Sequence, residues 1–195
     1  MGRLAVAALA LLIAGCATER GVALPEMNDW ASRQATLIGI TDWSFSGRIA
    51  VSAADEGFNG RLRWRQQDDS FDASLSGPLG AGAVRIEGSS RGLTVFDGDG
   101  VVTALNDPEV DLKVRYGWTI PVESLRYWVL GVPDPRQPAD LDFAEDGRVS
   151  QLVQGGWTAE ISQYREGGGQ LMPRRITAEN GESRVRLVID NWVFY

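Results

Sequence analysis

The stretch Trp43-Ser-Phe-Ser-Gly-Arg-Ile-Ala-Val51 decides how this chain folds. Its large apolar residues fall at alternate positions, with Ser44, Ser46, Arg48 and Ala50 between them. A period of two sends successive side chains to opposite faces of an extended backbone, so the stretch is a strand with one apolar face. The next segment repeats the pattern, with Phe58, Gly60, Leu62 and Trp64 on one side and Arg61, Arg63 and Arg65 on the other. Phe71, Ala73 and Leu75 continue it. A hairpin around Gln67 to Ser70 then sets Asp72 across from the arginine row, which reads as a solvated, partly paired sheet face.

The alternation resumes through Val84 and Ile86, Leu93 and Val95, and residues 101–104, with Gly-rich turns roughly every ten residues, the spacing of an antiparallel meander. Asp97-Gly-Asp-Gly100 looks like the start of a calcium loop, but Val101 stands where the next acidic ligand belongs, so it is read as a turn. Three helical segments interrupt the strands. Asn28 or Asp29 caps one that puts Trp30, Gln34, Leu37 and Ile38 on a stripe, and Asp107-Pro108-Glu109 opens a second that Gly117 closes. The third, Pro121 to Leu130, carries Val122, Leu125, Trp128 and Val129 at helical spacing. Strands return with Leu141 and Phe143, residues 148–154 and residues 157–164. After a flexible Glu166 to Gln170 come residues 174–179 and 184–194, joined by Asn180-Gly181, a type I′ hairpin signal. About ten strands in one antiparallel sheet curl rather than stay flat. The fold class expected is α+β, mainly antiparallel β: one curved sheet, apolar face inward, with two or three helices across its opening.

Composition excludes several functions. With 26 Asp and Glu against 19 Lys and Arg, the net charge is −7, a poor basis for nucleic-acid binding. The absence of His removes the usual general base, Ser-His triads and most zinc sites. Carboxylate pairs such as Asp142 with Glu145, or Asp97 with Asp99, leave a hydrolase as one alternative, although they fall at turns or on outward positions.

At the N-terminus, Arg3 precedes an apolar run from Leu4 to Ile13, too short to span a bilayer and shaped like a secretory signal. Ile13-Ala-Gly-Cys16 resembles the bacterial lipobox, which implies cleavage after residue 15 and lipid on Cys16. Cys16 is the one cysteine, so no disulfide competes for it. Ala17 follows it where an Asp would retain a lipoprotein in the inner membrane, and this implies the outer membrane. The expected organisation is a signal over 1–15, a lipidated tether over 16–25 and one domain over 26–195. The mature chain has 180 residues and, without Arg3, a charge of −8.

An ordered set of motifs carries a wider resemblance: Trp43 with Ser46-Gly-Arg-Ile-Ala50, Leu62-Arg-Trp-Arg-Gln66, Gly77-Pro-Leu-Gly80, Pro121-Val122 with Leu125, Trp128-Val-Leu-Gly131, Gln154-Gly-Gly-Trp157, Pro173 and Leu187-Val-Ile-Asp-Asn-Trp192. Together they resemble the LolB family of outer-membrane lipoprotein receptors over nearly the whole mature chain. The resemblance implies an open, incomplete β-barrel lidded by helices, shared with the soluble periplasmic carrier LolA. It further implies a periplasm-facing monomer in a Gram-negative bacterium that takes lipoprotein cargo from LolA and inserts it into the inner leaflet of the outer membrane. No enzyme activity and no cofactor are expected, and neither a P-loop nor a Rossmann glycine pattern is present.

Site residues follow. A lone leucine in a turn ordinarily folds back onto its core, but the family carries a protruding leucine in this loop, so Pro78, Leu79 and Gly80 are expected to form the membrane-insertion loop. For the acyl cavity, Trp64, Trp128, Trp157 and Trp192 are the candidates, with Phe45, Ile49 and Leu62 in support. From alternation alone they fill a closed core or line a hollow one, and the hollow fold implied by the resemblance favours the cavity. The other alternative is a lipid or acyl-chain carrier lipoprotein that passes nothing to a membrane.

Overall fold

The computed structural model describes residues 21–77, 83–89 and 92–195. Strand β1 (Asp42–Ala53) follows its alternation, burying Trp43, Phe45, Gly47, Ile49, Val51 and Ala53. It pairs with β2 (Glu56–Gln67) on one side and with the last strand, β13 (Arg184–Phe194), on the other. One half of the sheet continues through β3 (Ser70–Ser76), β4 (Val84–Ser89) and β5 (Gly92–Phe96) to an edge at β6 (Val102–Leu105). The other continues from β13 through β12 (Arg175–Glu179), β9 (Trp157–Ser162) and β8 (Val149–Gln154) to an edge at β7 (Asp140–Phe143). All these pairings are antiparallel and make one sheet of eleven strands, whose two edges do not meet. The result is the curved sheet read from the alternation and the open, incomplete barrel that the family resemblance implies. Among the described residues no helix is long and apolar enough to cross a membrane.

Local chemistry accounts for the helices. In α1 (Trp30–Gly39) the Asp29 carboxylate accepts from the Ser32 N–H at 2.7 Å while the Ser32 hydroxyl accepts from the Asp29 N–H, a reciprocal cap. In α2 (Pro108–Tyr116) Asp107 caps the start, and Gly117, at φ 75°, donates its N–H to the Lys113 carbonyl. Helix α3 (Val122–Trp128) has no side-chain cap and is held by tertiary contacts instead. The Trp128 side chain is fully buried, and its Nε1–H donates to Gln154 Oε1 on β8 at 2.9 Å. The same Gln154 binds the segment after α3 through the Asp134 N–H, the Asp134 carbonyl and the Gln137 carbonyl.

Asp134 closes this latch. Its carboxylate is inaccessible to solvent, accepts from Arg136 Nε and Nη2 at 2.9 and 2.7 Å, and takes the Ser124 hydroxyl at 3.2 Å. Burial pushes the carboxyl upward, but the hydrogen bonds and charge of Arg136, with Ser124, outweigh it and hold Asp134 below the ordinary carboxylate range. A group depressed in the folded state stabilises the fold fully above its unfolded value near 3.9, and that contribution is lost as pH falls through the lower folded value. Acid unfolding is therefore expected to begin at a higher pH in Asp134→Asn, with a shallower loss of stability below about pH 4. Circular dichroism melts between neutral and strongly acid pH check this.

Three segments depart from their sequence reading. Residues 166–170, expected to be flexible, form most of a separate hairpin of β10 (Arg165–Gly167) and β11 (Gln170–Met172). Its backbone lies against the barrel so closely that a Cβ at Gly167 would meet Trp192 at 3.0 Å, and one at Gly168, which has φ 62°, would meet Phe194 at 2.6 Å. Asn180-Gly181 belongs to a four-residue loop instead of a type I′ turn: Asn180 is not at positive φ, and its Oδ1 accepts from the Glu182 and Ser183 N–H groups. In β13 the register slips at Asp190, so the inward positions change from Val185, Leu187 and Ile189 to Trp192 and Phe194. Within the segment expected as a tether, the Val22 N–H donates to the Phe194 carbonyl at 2.8 Å and the Leu24 N–H to the Gly168 carbonyl at 2.7 Å.

Candidate functional site

An apolar cavity of about 750 Å³ lies between the β2–β5 half of the sheet and helix α2. That is within the range of about 300–1,000 Å³ usual for ligand sites. Phe58, Leu75, Val84, Ile86 and Val95 form the sheet wall, and Leu112 and Tyr116 of α2 with Trp118 form the opposite one. Alternation places the sheet residues on one face, and the 3.6-residue period of α2 brings Leu112 and Tyr116 to the same side. Three aromatic rings of the lining touch in series. Tyr116, which is 43% exposed, stacks on Trp118 at 5.4 Å, and Trp118 meets Phe58 at 5.1 Å. Polar groups stay at the rim: Glu56, Asp97 and Arg115. Gly77 also lines the cavity and is the last described residue before 78–82.

None of Phe45, Ile49, Leu62, Trp64, Trp128, Trp157 and Trp192 lines this cavity. All but Trp192, which is half-buried, are at most 5% exposed and belong to the packed core. Trp43, Phe45, Trp64 and Trp192 form one aromatic cluster, with Phe45 and Trp64 stacked at 6.2 Å and Phe45 and Trp192 at 5.3 Å. Their polar ends are occupied internally, Trp64 Nε1–H by Gln66 Oε1 and Trp192 Nε1–H by the Pro173 carbonyl. Cys16, Pro78, Leu79 and Gly80 lie outside the described residues. The cavity walls themselves were visible in the alternation, but nothing in it distinguished them from packed positions.

The acidic pairs considered for hydrolysis are spread on the surface. Asp142, Glu145, Asp97 and Asp99 are all exposed, and Asp97 spends one oxygen accepting from the Asp99 and Val101 N–H groups of its own turn. Among the described residues, no cluster of three metal-ligating side chains occurs. The outer arginine row is paired unevenly. Asp72 lies opposite Arg65 in register but is held by Arg85 at 2.6 Å, while Arg65 turns to Asp42 at 2.8 Å and lies over the Tyr195 ring.

What the geometry offers is an apolar cavity with charged side chains at its rim. The family model described as Outer membrane lipoprotein LolB matches residues 41–192, which contain every internal motif quoted above. The chain belongs to the LolB family. Outer-membrane lipoprotein LolB of Pseudomonas aeruginosa is 37% identical over 122 residues, covering 62% of this chain and 59% of the relative. The protein of the same name from Chromohalobacter salexigens is 36% identical over 118 residues, covering 60% of this chain and 55% of the relative. The aligned stretch thus spans less than two thirds of those relatives. A LolA-superfamily protein from Nitrosomonas europaea shares the fold at a TM-score of 0.51 and 10% identity, over 80% of this chain and 87% of that one. Membership of the LolB family places this chain among outer-membrane lipoproteins, and the LolB-family fold carries its cavity under α2.

Proposed function

We propose that this LolB-family chain is anchored in the outer membrane through acylated Cys16, accepts the acyl chains of lipoproteins from the periplasmic carrier LolA, and releases them into the inner leaflet. The observation that carries this reading is the apolar cavity, whose described lining includes Gly77, the residue directly before Pro78-Leu-Gly80 in the chain. A sixteen-carbon chain exposed to water costs on the order of 12 kcal/mol, at about 0.8 kcal/mol per methylene, so cargo must pass from one apolar enclosure to another. Such an exchange runs downhill on relative affinities and needs neither nucleotide nor a covalent step.

Leu79 has a narrower role in this scheme. Burying one leucine yields about 1.5–3 kcal/mol, enough to touch the bilayer locally and far below what the acyl anchor supplies. Leu79→Glu in the lipidated chain, reconstituted in vesicles and supplied with carrier-bound lipoprotein, is expected to accept cargo normally and to fail in releasing it. Release at the normal rate removes Leu79 from the mechanism. Cargo that the unsubstituted protein binds and never releases would identify a lipid-binding lipoprotein without transfer activity.

A further inference from the structure

The outer face of the sheet carries a second concavity, a groove of about 560 Å³ lined by Arg48, Arg61 and Arg186 and by no acidic residue. The chain as a whole has 26 acidic and 19 basic residues, so three arginines gathered without a carboxylate lining run against its composition. Arg48 and Arg61 are directly opposite each other on β1 and β2, a like-charge pair that works against the sheet. Arg48 reaches Asp190 at 3.2 Å, whereas among the described residues no carboxylate pairs with Arg61 or Arg186. Guanidinium forks held this way on a rigid sheet match the oxygens of a phosphate.

The place of the groove selects the source of that phosphate. Ser76 and Gly77 belong to both the groove and the cavity wall, so the two concavities meet at the residues directly before Pro78 in the chain. Val22 is tied to Phe194, which pairs with Trp43, and Arg48 lies five residues further along β1, about 17 Å at the rise of a strand. Five residue steps separate Cys16 from Gly21, which at full extension span roughly the same length.

We infer that this groove seats the phosphates of anionic phospholipids in the membrane that holds the anchor and turns the Gly77 end of the cavity toward the bilayer. The inference rests on the anchored receptor proposed above for its membrane, and on the arginines for its chemistry.

The test uses residues 16–195 carrying Cys16→Ala, floated with vesicles of phosphatidylethanolamine alone or with about a quarter phosphatidylglycerol. Binding is expected to the phosphatidylglycerol vesicles, weakening as salt rises. Arg61→Gln with Arg186→Gln is expected to weaken it about thirtyfold, at about fivefold for each charge, while the corresponding double Lys variant keeps most of it. Thermal stability and uptake of a fluorescent acyl probe are expected to stay unchanged in both. Equal binding by the Gln variant or equal binding to both vesicle types each overturns the proposal. So does a Gln variant that binds vesicles normally and loses only its hold on an acidic protein. Phosphatidylglycerol binding without acyl-probe uptake would sink the receptor reading and leave the groove standing.

Discussion

Val84→Trp combined with Ile86→Trp is expected to reduce acyl-probe binding by about fiftyfold or more while the protein folds normally. The two residues stand on the same face of β4, two positions apart, and both form the cavity wall. They are half-buried, packed against the core at one side and bordering the cavity at the other. Enlarging them fills the slot without forcing the strain that overpacking causes in a closed core. Each methylene kept out of the cavity forfeits about 0.8 kcal/mol, so excluding three costs about 2.4 kcal/mol, or about fiftyfold in affinity. Titration with a fluorescent fatty acid checks the affinity, and a thermal melt checks the fold. Undiminished binding would place the acyl site elsewhere. The same substitution at a packed position, such as Val185, which is 1% exposed, is expected to destabilise the protein instead.

Trp128→Ala is expected to destabilise the protein by about 3–5 kcal/mol, the range for removing a large aromatic side chain from a core. The side chain is 0% exposed, and its indole is the link between α3 and Gln154 on β8. In a protein of this size that loss lowers the melting temperature by roughly 10 °C. Trp128→Phe separates the two contributions, since it keeps most of the packing and deletes the N–H. Gln154 Oε1 still accepts from the Asp134 N–H, so the phenylalanine variant is expected to lose only about 1 kcal/mol. Chemical denaturation of the two variants measures the difference. If both lose the same amount, the hydrogen bond and not the packing anchors α3.

This latch explains why the two halves of the barrel differ. Helix α3 is bound through Trp128, Gln154 and Asp134 to β8, and the hairpin of β10 and β11 lies against Trp192 and Phe194. The β8–β9–β12–β13–β1 side is thereby filled. On the β2–β5 side the cover is α2, a nine-residue helix with one buried residue, Leu112. A single short helix cannot fill the concavity of four strands, and the cavity is what remains.

The sequence by itself determined the elements and their faces. Alternation from Trp43 to Val51 and from Phe58 to Trp64 fixed which side chains point inward, because successive residues of a strand must face opposite ways. Caps at Asp29 and Asp107 and the glycine at 117 set helix ends through local hydrogen bonds and left-handed backbone. The ordered motifs were enough to show the family resemblance. What only the tertiary structure decided is which inward residues meet a partner. Trp64 and Phe58 share one strand and one face, yet Trp64 is 5% exposed within an aromatic cluster and Phe58 borders the cavity. Their periodicity is identical, because it depends on the backbone alone, whereas hollowness depends on what a distant helix or hairpin brings against that face. The same holds for Arg48, Arg61 and Arg186, which stand far apart in sequence and become one groove only when β13 closes against β1.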